Sequence, residues 1–559
     1  MVVRRPCKCS TDTVAGVSTG SSLVEAVDDR GGDHVAVGAG CRECGAVDHD
    51  ADQHGAEDFD LLIGPVASGG ANESVGKVEG IGPDRAHDLG ERGLALGLQS
   101  ELGPGEVVLT GRSGGVLDQC GQRVDQAAAG VWELSGKPVH MMKKFEVILK
   151  RQSVRTRFKN ADMGFVFTWV LGVGEIIGMA HGEIFAAAST IKDGDPVSWR
   201  RAFHRQADSL TARADAFAGA GNDLAAGQAC FGSAFARRAA LHYQDPTDQE
   251  PWARAVKAME DAFQAGASFL RVPVRPVHVP FEGGALPGYY LECDQSPRPT
   301  VLMVGGGDTF REDLFCFAGY PGWKRGYNVL MVDLPGQGNT PAEGWHFRVD
   351  QDRSISACLD WLETNAAAPS DQLAVYGVSG GGYFTALAAA SDTRIRAWVA
   401  STPITDVGLV FEREIGAALH APSRLVQLVA RIVSSVNKGA DLSLRKYSWQ
   451  FGTSEFTEAF ERVRAEARIV ETDAIVCPAL FLLGDGEATE LQRQTAQLHD
   501  SLARRGRDVT TRHFSAQDGA DAHCQVNNLR LAHPVVFDWL DRVFDTTPAP
   551  SAVDPRVLC

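Results

Sequence analysis

Residues 373–390 read Leu373-Ala374-Val375-Tyr376-Gly377-Val378-Ser379-Gly380-Gly381-Gly382-Tyr383-Phe384-Thr385-Ala386-Leu387-Ala388-Ala389-Ala390. An apolar run passes through a glycine-bracketed serine into a stretch of good helix formers, which predicts strand, sharp turn and helix. Gly377-Val378-Ser379-Gly380-Gly381 has the GxSxG spacing of a nucleophile elbow. Residues without bulk two before and two after the serine let strand and helix pack around a strained turn, leaving the hydroxyl exposed above the sheet end. So short a motif also arises by chance in glycine-rich loops. Its weight depends on whether a base, an acid and oxyanion donors lie in suitable places around it.

Working outward, segments 272–280 and 285–291 read as a strand pair around Glu282-Gly283-Gly284. Strands are then predicted at 300–304, 328–332, 373–376, 397–400, 479–483 and 509–514, with helices at 351–364, 490–504 and 527–543. A hairpin followed by alternating strand and helix predicts an α/β fold, a mostly parallel sheet covered by helices on both faces. Segment 405–470 interrupts the alternation with helix-like sequence at 424–436 and 456–467. Such an insertion is expected over the strand ends, where ligands enter sheets of this kind.

Ahead of the sheet, apolar residues recur at helical spacing over 196–269: Trp199, Phe203 and Ala207, then Phe231, Phe235 and Ala239, then Trp252, Ala255, Met259 and Phe263. Asp245-Pro246-Thr247 breaks this helical unit. The apolar run 164–174 stops at Glu175, with Glu183 following. A bilayer span needs about 20 uninterrupted apolar residues, so this run reads as a buried helix and no stable membrane span is expected.

The 559-residue chain carries a net charge of -17 and shows no basic stripe, which argues against a nucleic-acid partner. The acidity is concentrated in residues 1–140, with 11 Lys+Arg against 22 Asp+Glu. That segment also holds 25 of the 60 glycines and two aromatics, Phe59 and Trp132, and cannot bury much core. It is either a disordered acidic extension or sequence outside the working protein, and the second reading is preferred here. The 12 cysteines are scattered and no apolar secretory segment precedes them, so a reducing, cytoplasmic setting is expected. Cys7, Cys9, Cys41 and Cys44, with His34, His49 and His54, have metal-ligand spacing but little foldable sequence around them, and no metal or other cofactor is expected.

Acyl transfer through a serine needs a base, an orienting acid and oxyanion donors. The predicted strand 300–304 runs into Gly305-Gly306-Gly307-Asp308, where the N–H of Gly307 is placed to serve the oxyanion together with that of Gly380, after the nucleophile. His523, in Gly519-Ala520-Asp521-Ala522-His523-Cys524-Gln525, follows the last strand and is the candidate base. His513 lies inside a strand pattern, and His533 reads as a helix-surface residue. For the acid, Gly484-Asp485-Gly486-Glu487 follows strand 479–483, and the position three after the glycine selects Glu487, with Asp485 and then Asp406 as competitors. Val332-Asp333-Leu334-Pro335-Gly336-Gln337-Gly338 reads as a structural turn.

The order oxyanion loop, Ser379, Glu487, His523 resembles that of the α/β-hydrolase superfamily over about residues 271–545. The preceding helical unit, the Gly-Gly loop lacking the usual histidine and the ending Asp518-Gly519-Ala520-Asp521-Ala522-His523-Cys524 are similar to the branch containing 2,6-dihydropseudooxynicotine hydrolase, fungal polyketide-shortening hydrolases and FrsA-like proteins. In this branch the nicotine-pathway enzyme has Asp where Glu487 stands, so the acid stays open. The resemblance implies an α/β-hydrolase fold behind an all-helical cap, a homodimer, and in some members cleavage of C–C bonds beside a carbonyl. The expected layout is an extension at 1–140, a cap at 141–270, a catalytic domain at 271–545 with its insertion at 405–470, and a tail at 546–559. The expected activity is a serine hydrolase acting on an ester or a C–C bond next to a carbonyl, in a small aromatic or polyketide-like substrate. An acyl-peptide or dipeptidyl-peptidase-like hydrolase and an idle binding protein on the same fold are the alternatives.

Overall fold

The computed structural model describes residues 157–546 apart from 178, 294–297, 367–368, 370 and 416–436, together with two short strands nearer the N-terminus. The chain divides into the units Met1–Gly111 and Arg112–Cys559. In the first, β1 (Ala95–Leu98) pairs antiparallel with β2 (Val107–Thr110). The remainder of the expected extension 1–140, with its cysteine and histidine clusters, lies outside the described residues, as do 141–156, the expected helix 424–436 and the tail from 547.

Among its described residues, the second unit begins with five helices: α1 (Ala161–Ile177), α2 (His181–Ser189), α3 (Pro196–Gly219), α4 (Asp223–His242) and α5 (Gln249–Phe269). Local sequence sets their starts. Asp195 accepts a hydrogen bond from Val197 N and is followed by Pro196, whose fixed φ suits the first helical position. Asn222 caps α4 through Ala225 N. Trp199, Phe203 and Ala207, four apart, are all fully buried, as the spacing predicts. The apolar helix α1 has 17 residues, and no described helix is long and apolar enough to cross a membrane.

An eight-stranded sheet follows, with β3 (Val274–Phe281), β4 (Gly284–Leu291), β5 (Thr300–Val304), β6 (Asn328–Val332), β7 (Leu373–Val378), β8 (Ala397–Ser401), β9 (Ala479–Gly484) and β10 (Val509–Phe514). Their order is β10-β9-β8-β7-β5-β6-β4-β3. β4 runs antiparallel to both β3 and β6, and the other pairs are parallel. Every expected strand is present, within two residues at each end.

The central strands have no exposed residue because each face has its own core. Val301, Met303, Val329, Met331, Tyr376 and Val399 pack toward the N-terminal helices and α12 (Leu529–Val543). Their neighbours Leu302, Val304, Leu330, Val332, Val375 and Trp398 pack toward α6 (Gln351–Asn365), α7 (Gly381–Ser391) and α11 (Thr489–Arg504). This period of two, with both sets apolar, is what a sheet buried on both sides requires. The N-terminal helices share their core with the sheet: the Phe263 ring on α5 stacks on Tyr289 of β4 at 5.3 Å. The all-helical unit ahead of a mostly parallel sheet is the architecture implied by the α/β-hydrolase resemblance.

Between β8 and β9 the chain forms α8 (Val407–Ile415), α9 (Lys438–Phe451) and α10 (Phe456–Glu466). From β5 the chain passes to β6 on one side and returns to β7 on the other. This switch of direction opens a crevice beyond the carboxyl ends of β5 and β7. Val304 and Gly377 are register partners, so the Gly305-Gly306-Gly307 loop and Ser379 leave the sheet side by side.

Candidate active site

Ser379 follows the last residue of β7 with φ of 55°, a left-handed conformation that costs a non-glycine residue on the order of 1 kcal/mol and persists only when surroundings impose it. They do so here. Ser379 N donates to Ser401 O at 2.8 Å on the neighbouring strand, and Gly382 N donates back to Ser379 O at 2.8 Å. A Cβ on Gly377 would lie 2.2 Å from Gly381 O, and one on Gly382 would lie 1.8 Å from Thr402 O. The turn therefore needs one more glycine, Gly382, beyond the pentapeptide, because α7 starts against the end of β8.

The serine hydroxyl meets the imidazole predicted to serve it. His523 Nε2 lies 3.0 Å from Ser379 Oγ, and His523 Nδ1 lies 2.6 Å from Glu487 Oε2. Glu487 Oε1 accepts from Cys524 N and from Thr402 Oγ1, both at 3.2 Å. The carboxylate thus has a hydrogen bond on each oxygen. Burial alone would raise the Glu487 pKa, but the imidazole, the Cys524 N–H and the Thr402 hydroxyl outweigh it and hold the group below its ordinary value. Burial lowers the His523 pKa, whereas the Cys524 and Glu487 side chains raise it, and the balance stands above the ordinary histidine value. The site favours imidazolium, the form created when a serine gives up its proton.

The competing residues are elsewhere. Asp485 is exposed, with its N–H bonded to Phe514 O at 3.0 Å. Asp406 caps α8, accepting from Leu409 N at 2.8 Å. His513 is exposed on β10. His533, read from sequence as a helix-surface residue, is instead half-buried, with Nε2 2.8 Å from Cys316 O. At that turn its helix α12 lies against the helical segment Phe315–Gly319 that carries Cys316, a packing that the local pattern around Pro534 did not reveal.

Gly306 and Gly307 line the other side of the serine. A Cβ on Gly306 would approach Ser379 Cβ at 2.5 Å and Gly380 N at 2.9 Å, so only glycine fits. Among the described residues neither Gly307 N nor Gly380 N donates to a backbone acceptor. Two buried glutamines hold the loop by its carbonyls. Gln337 Nε2 donates to Gly305 O at 2.5 Å and Gly306 O at 3.1 Å, while its Oε1 accepts from Leu334 N at 2.9 Å. Gln450, near the end of α9, donates from Nε2 to Gly307 O at 2.5 Å. Sequence reasoning missed both. The turn containing Gln337 was read as structural, and its contact 31 residues back in the chain leaves no local signal.

A cavity of about 70 Å³ opens on Ser379 and His523. Phe165, Val166 and Trp169 of α1 give it an apolar wall, and Arg238 of α4 and Asp313 give it a polar one. The Phe165 and His523 rings are 6.3 Å apart between centroids. Glu487, His523 and Cys524 form a cluster of metal-ligand composition, with donor atoms within 4.8 Å of one another. Those atoms are engaged within the protein: Nδ1 with the carboxylate, and Cys524 Sγ with Ser401 O at 3.0 Å. All six cysteines among the described residues are free thiols.

Comparison with known proteins adds four findings. Residues 245–431 match the model of the X-Pro dipeptidyl-peptidase (S15) family. The chain is 29% identical over 421 residues to hydrolase LUC6 of a Fusarium species, covering 69% of this chain and 97% of that one. It is 27% identical over 418 residues to the 20-hydroxy-prefusarin hydrolase FUS2 of Gibberella moniliformis, covering 69% and 97%. Among solved structures, that of 2,6-dihydroxy-pseudo-oxynicotine hydrolase superposes with a TM-score of 0.51 at 21% identity, over 68% of this chain and 98% of that one, a likeness of fold.

Proposed function

We propose that this chain, a hydrolase of the α/β-hydrolase superfamily, cleaves an ester or a C–C bond beside a carbonyl in a small, aromatic or polyketide-like substrate, using Ser379, His523 and Glu487. The observation that carries the reading is the unbroken hydrogen-bonded line from Ser379 Oγ through both ring nitrogens of His523 to Glu487. Ser379 attacks the carbonyl carbon as His523 Nε2 takes its proton. Glu487 fixes the tautomer that leaves Nε2 free to accept, and its charge stabilises the imidazolium. Gly307 N–H and Gly380 N–H receive the oxyanion, each such donor being worth about 10²–10³-fold in rate. His523 returns the proton to the departing oxygen or carbon, and then activates the water that releases the acyl group from Ser379. The apolar wall from α1 supports a small, largely apolar substrate.

The match to the dipeptidyl-peptidase model favours a second reading, cleavage of a short peptide. Both readings use the same serine. A fluorophosphonate probe should label Ser379 in the intact protein and fail to label Ser379→Ala; absence of adduct on folded protein overturns both. Comparing p-nitrophenyl esters and β-diketones with X-Pro anilides then separates them, and turnover of the anilides alone would favour the peptidase.

A further inference from the structure

The polar wall of the cavity contains an arginine whose donors are not all used. Arg238 is 4% exposed and sits in α4 opposite Ser379 and His523. Its Nε donates to Asp313 Oδ2 at 2.9 Å, and its Nη2 lies 2.8 Å from the same oxygen and donates to Asp308 O, the residue after the oxyanion loop. The guanidinium carbon lies 5.1 Å from the Trp169 ring centroid and 4.7 Å from that of Phe310, which fixes its plane. Nη1 is buried with no hydrogen-bond partner, and so is Asp313 Oδ1. A buried ion pair that leaves one donor and one acceptor unfilled gives up the hydration of both without replacing it, and few such groups survive in folded proteins without a reason.

We propose that Arg238 is a specificity-determining residue of this hydrolase: Nη1 donates to a second, uncharged carbonyl oxygen of the substrate, beyond the carbonyl that Ser379 attacks. Asp313 Oδ1 is then the acceptor for a neighbouring hydroxyl or enol. The charge balance selects a neutral oxygen over a carboxylate. Arg238 is already matched by Asp313, and the other acid lining the cavity, Asp308, is matched by Lys446 Nζ at 3.0 Å. With no excess positive charge, a permanent anion would be desolvated without compensation. Aromatic and aliphatic walls make the rest of the substrate apolar, so the class is an apolar 1,3-dicarbonyl compound. In such a substrate the bond between the attacked carbonyl carbon and the central carbon breaks. Its electron pair delocalises onto the oxygen held by Arg238, His523 gives its proton to the central carbon, and water hydrolyses the acyl-serine.

The inference rests on the serine-hydrolase reading, but binding tests it without turnover. In the Ser379→Ala protein, benzoylacetone should bind about 10- to 100-fold more tightly than butyrophenone, which lacks the second carbonyl. Adding Arg238→Gln should erase most of that preference, and Arg238→Lys, which keeps the charge beside Asp313, should erase it too. Benzoylacetate, with a carboxylate in place of the second carbonyl, should bind more weakly than benzoylacetone. A preference that survives in both Arg238 variants overturns the proposal, as does equal weakening of both ketones or tighter binding of benzoylacetate. A wild-type protein that takes no fluorophosphonate label while the ketone preference follows Arg238 would count against the serine chemistry alone.

Discussion

Glu487 Oε2 stands 2.6 Å from His523 Nδ1, while the other oxygen of the same carboxylate accepts from the backbone N–H of Cys524, the next residue. One side chain thus fixes both the imidazole and the backbone that carries it. Glu487→Gln should retain the fold and lower kcat by about 10³–10⁴-fold, because the amide can present N–H to Nδ1 and favour the wrong tautomer.

The pH dependence follows from the same pair. A base must be neutral, and the raised His523 pKa means that its neutral form dominates only above the ordinary histidine range. The acid limb of kcat/KM should therefore lie above pH 6.5, with activity falling as pH drops through it. Glu487→Gln removes a negative charge that favours the imidazolium, so the acid limb of its residual activity should move to lower pH. An unchanged or upward-shifted limb in that variant would show that another group controls the profile.

The two competing acids should behave differently from Glu487. Asp485→Asn, at an exposed loop position, should leave kcat/KM within about twofold of wild type, as surface substitutions generally do. Asp406→Asn should leave turnover similarly unaffected and cost no more than about 1 kcal/mol of stability, since Asn can cap α8 in its place. A collapse of kcat in either variant would transfer the acid role away from Glu487.

Gln337 ties the glycine loop to the turn after β6. Gln337→Leu removes two hydrogen bonds to Gly305 O and Gly306 O and should cost about 1–3 kcal/mol in thermal or denaturant unfolding. If the loop carries an oxyanion donor, kcat should fall by about tenfold or more with a smaller change in KM. Loss of stability with unaltered kcat would confine Gln337 to a structural role.

Gly306→Ala tests the approach of the loop to the nucleophile. The added methyl would sit 2.5 Å from Ser379 Cβ, so the loop or the serine must shift. Fluorophosphonate labelling should slow by about 10²-fold or more, since displacements near 1 Å cost rates of this size. Normal labelling would show that the loop relaxes freely.

What the sequence determined was local. Apolar runs buried on both faces placed β5 to β9, glycine spacing placed the elbow, and chain order placed Gly307, Gly380, Glu487 and His523 at strand ends, because backbone preference and burial pattern act over a few residues. Tertiary structure decided which groups meet. Asp485, Glu487 and Asp406 were alternatives in sequence, and only the geometry of the loops after β8, β9 and β10 brings one carboxylate to the imidazole. Gln337 sits in a turn that reads as structural, Gln450 and Arg238 have no motif, and their hydrogen bonds to the glycine loop and its next residue span 31, 143 and 70 positions. Such contacts depend on how layers of structure pack, so the elbow was legible in one stretch of chain while the cavity in front of it was not.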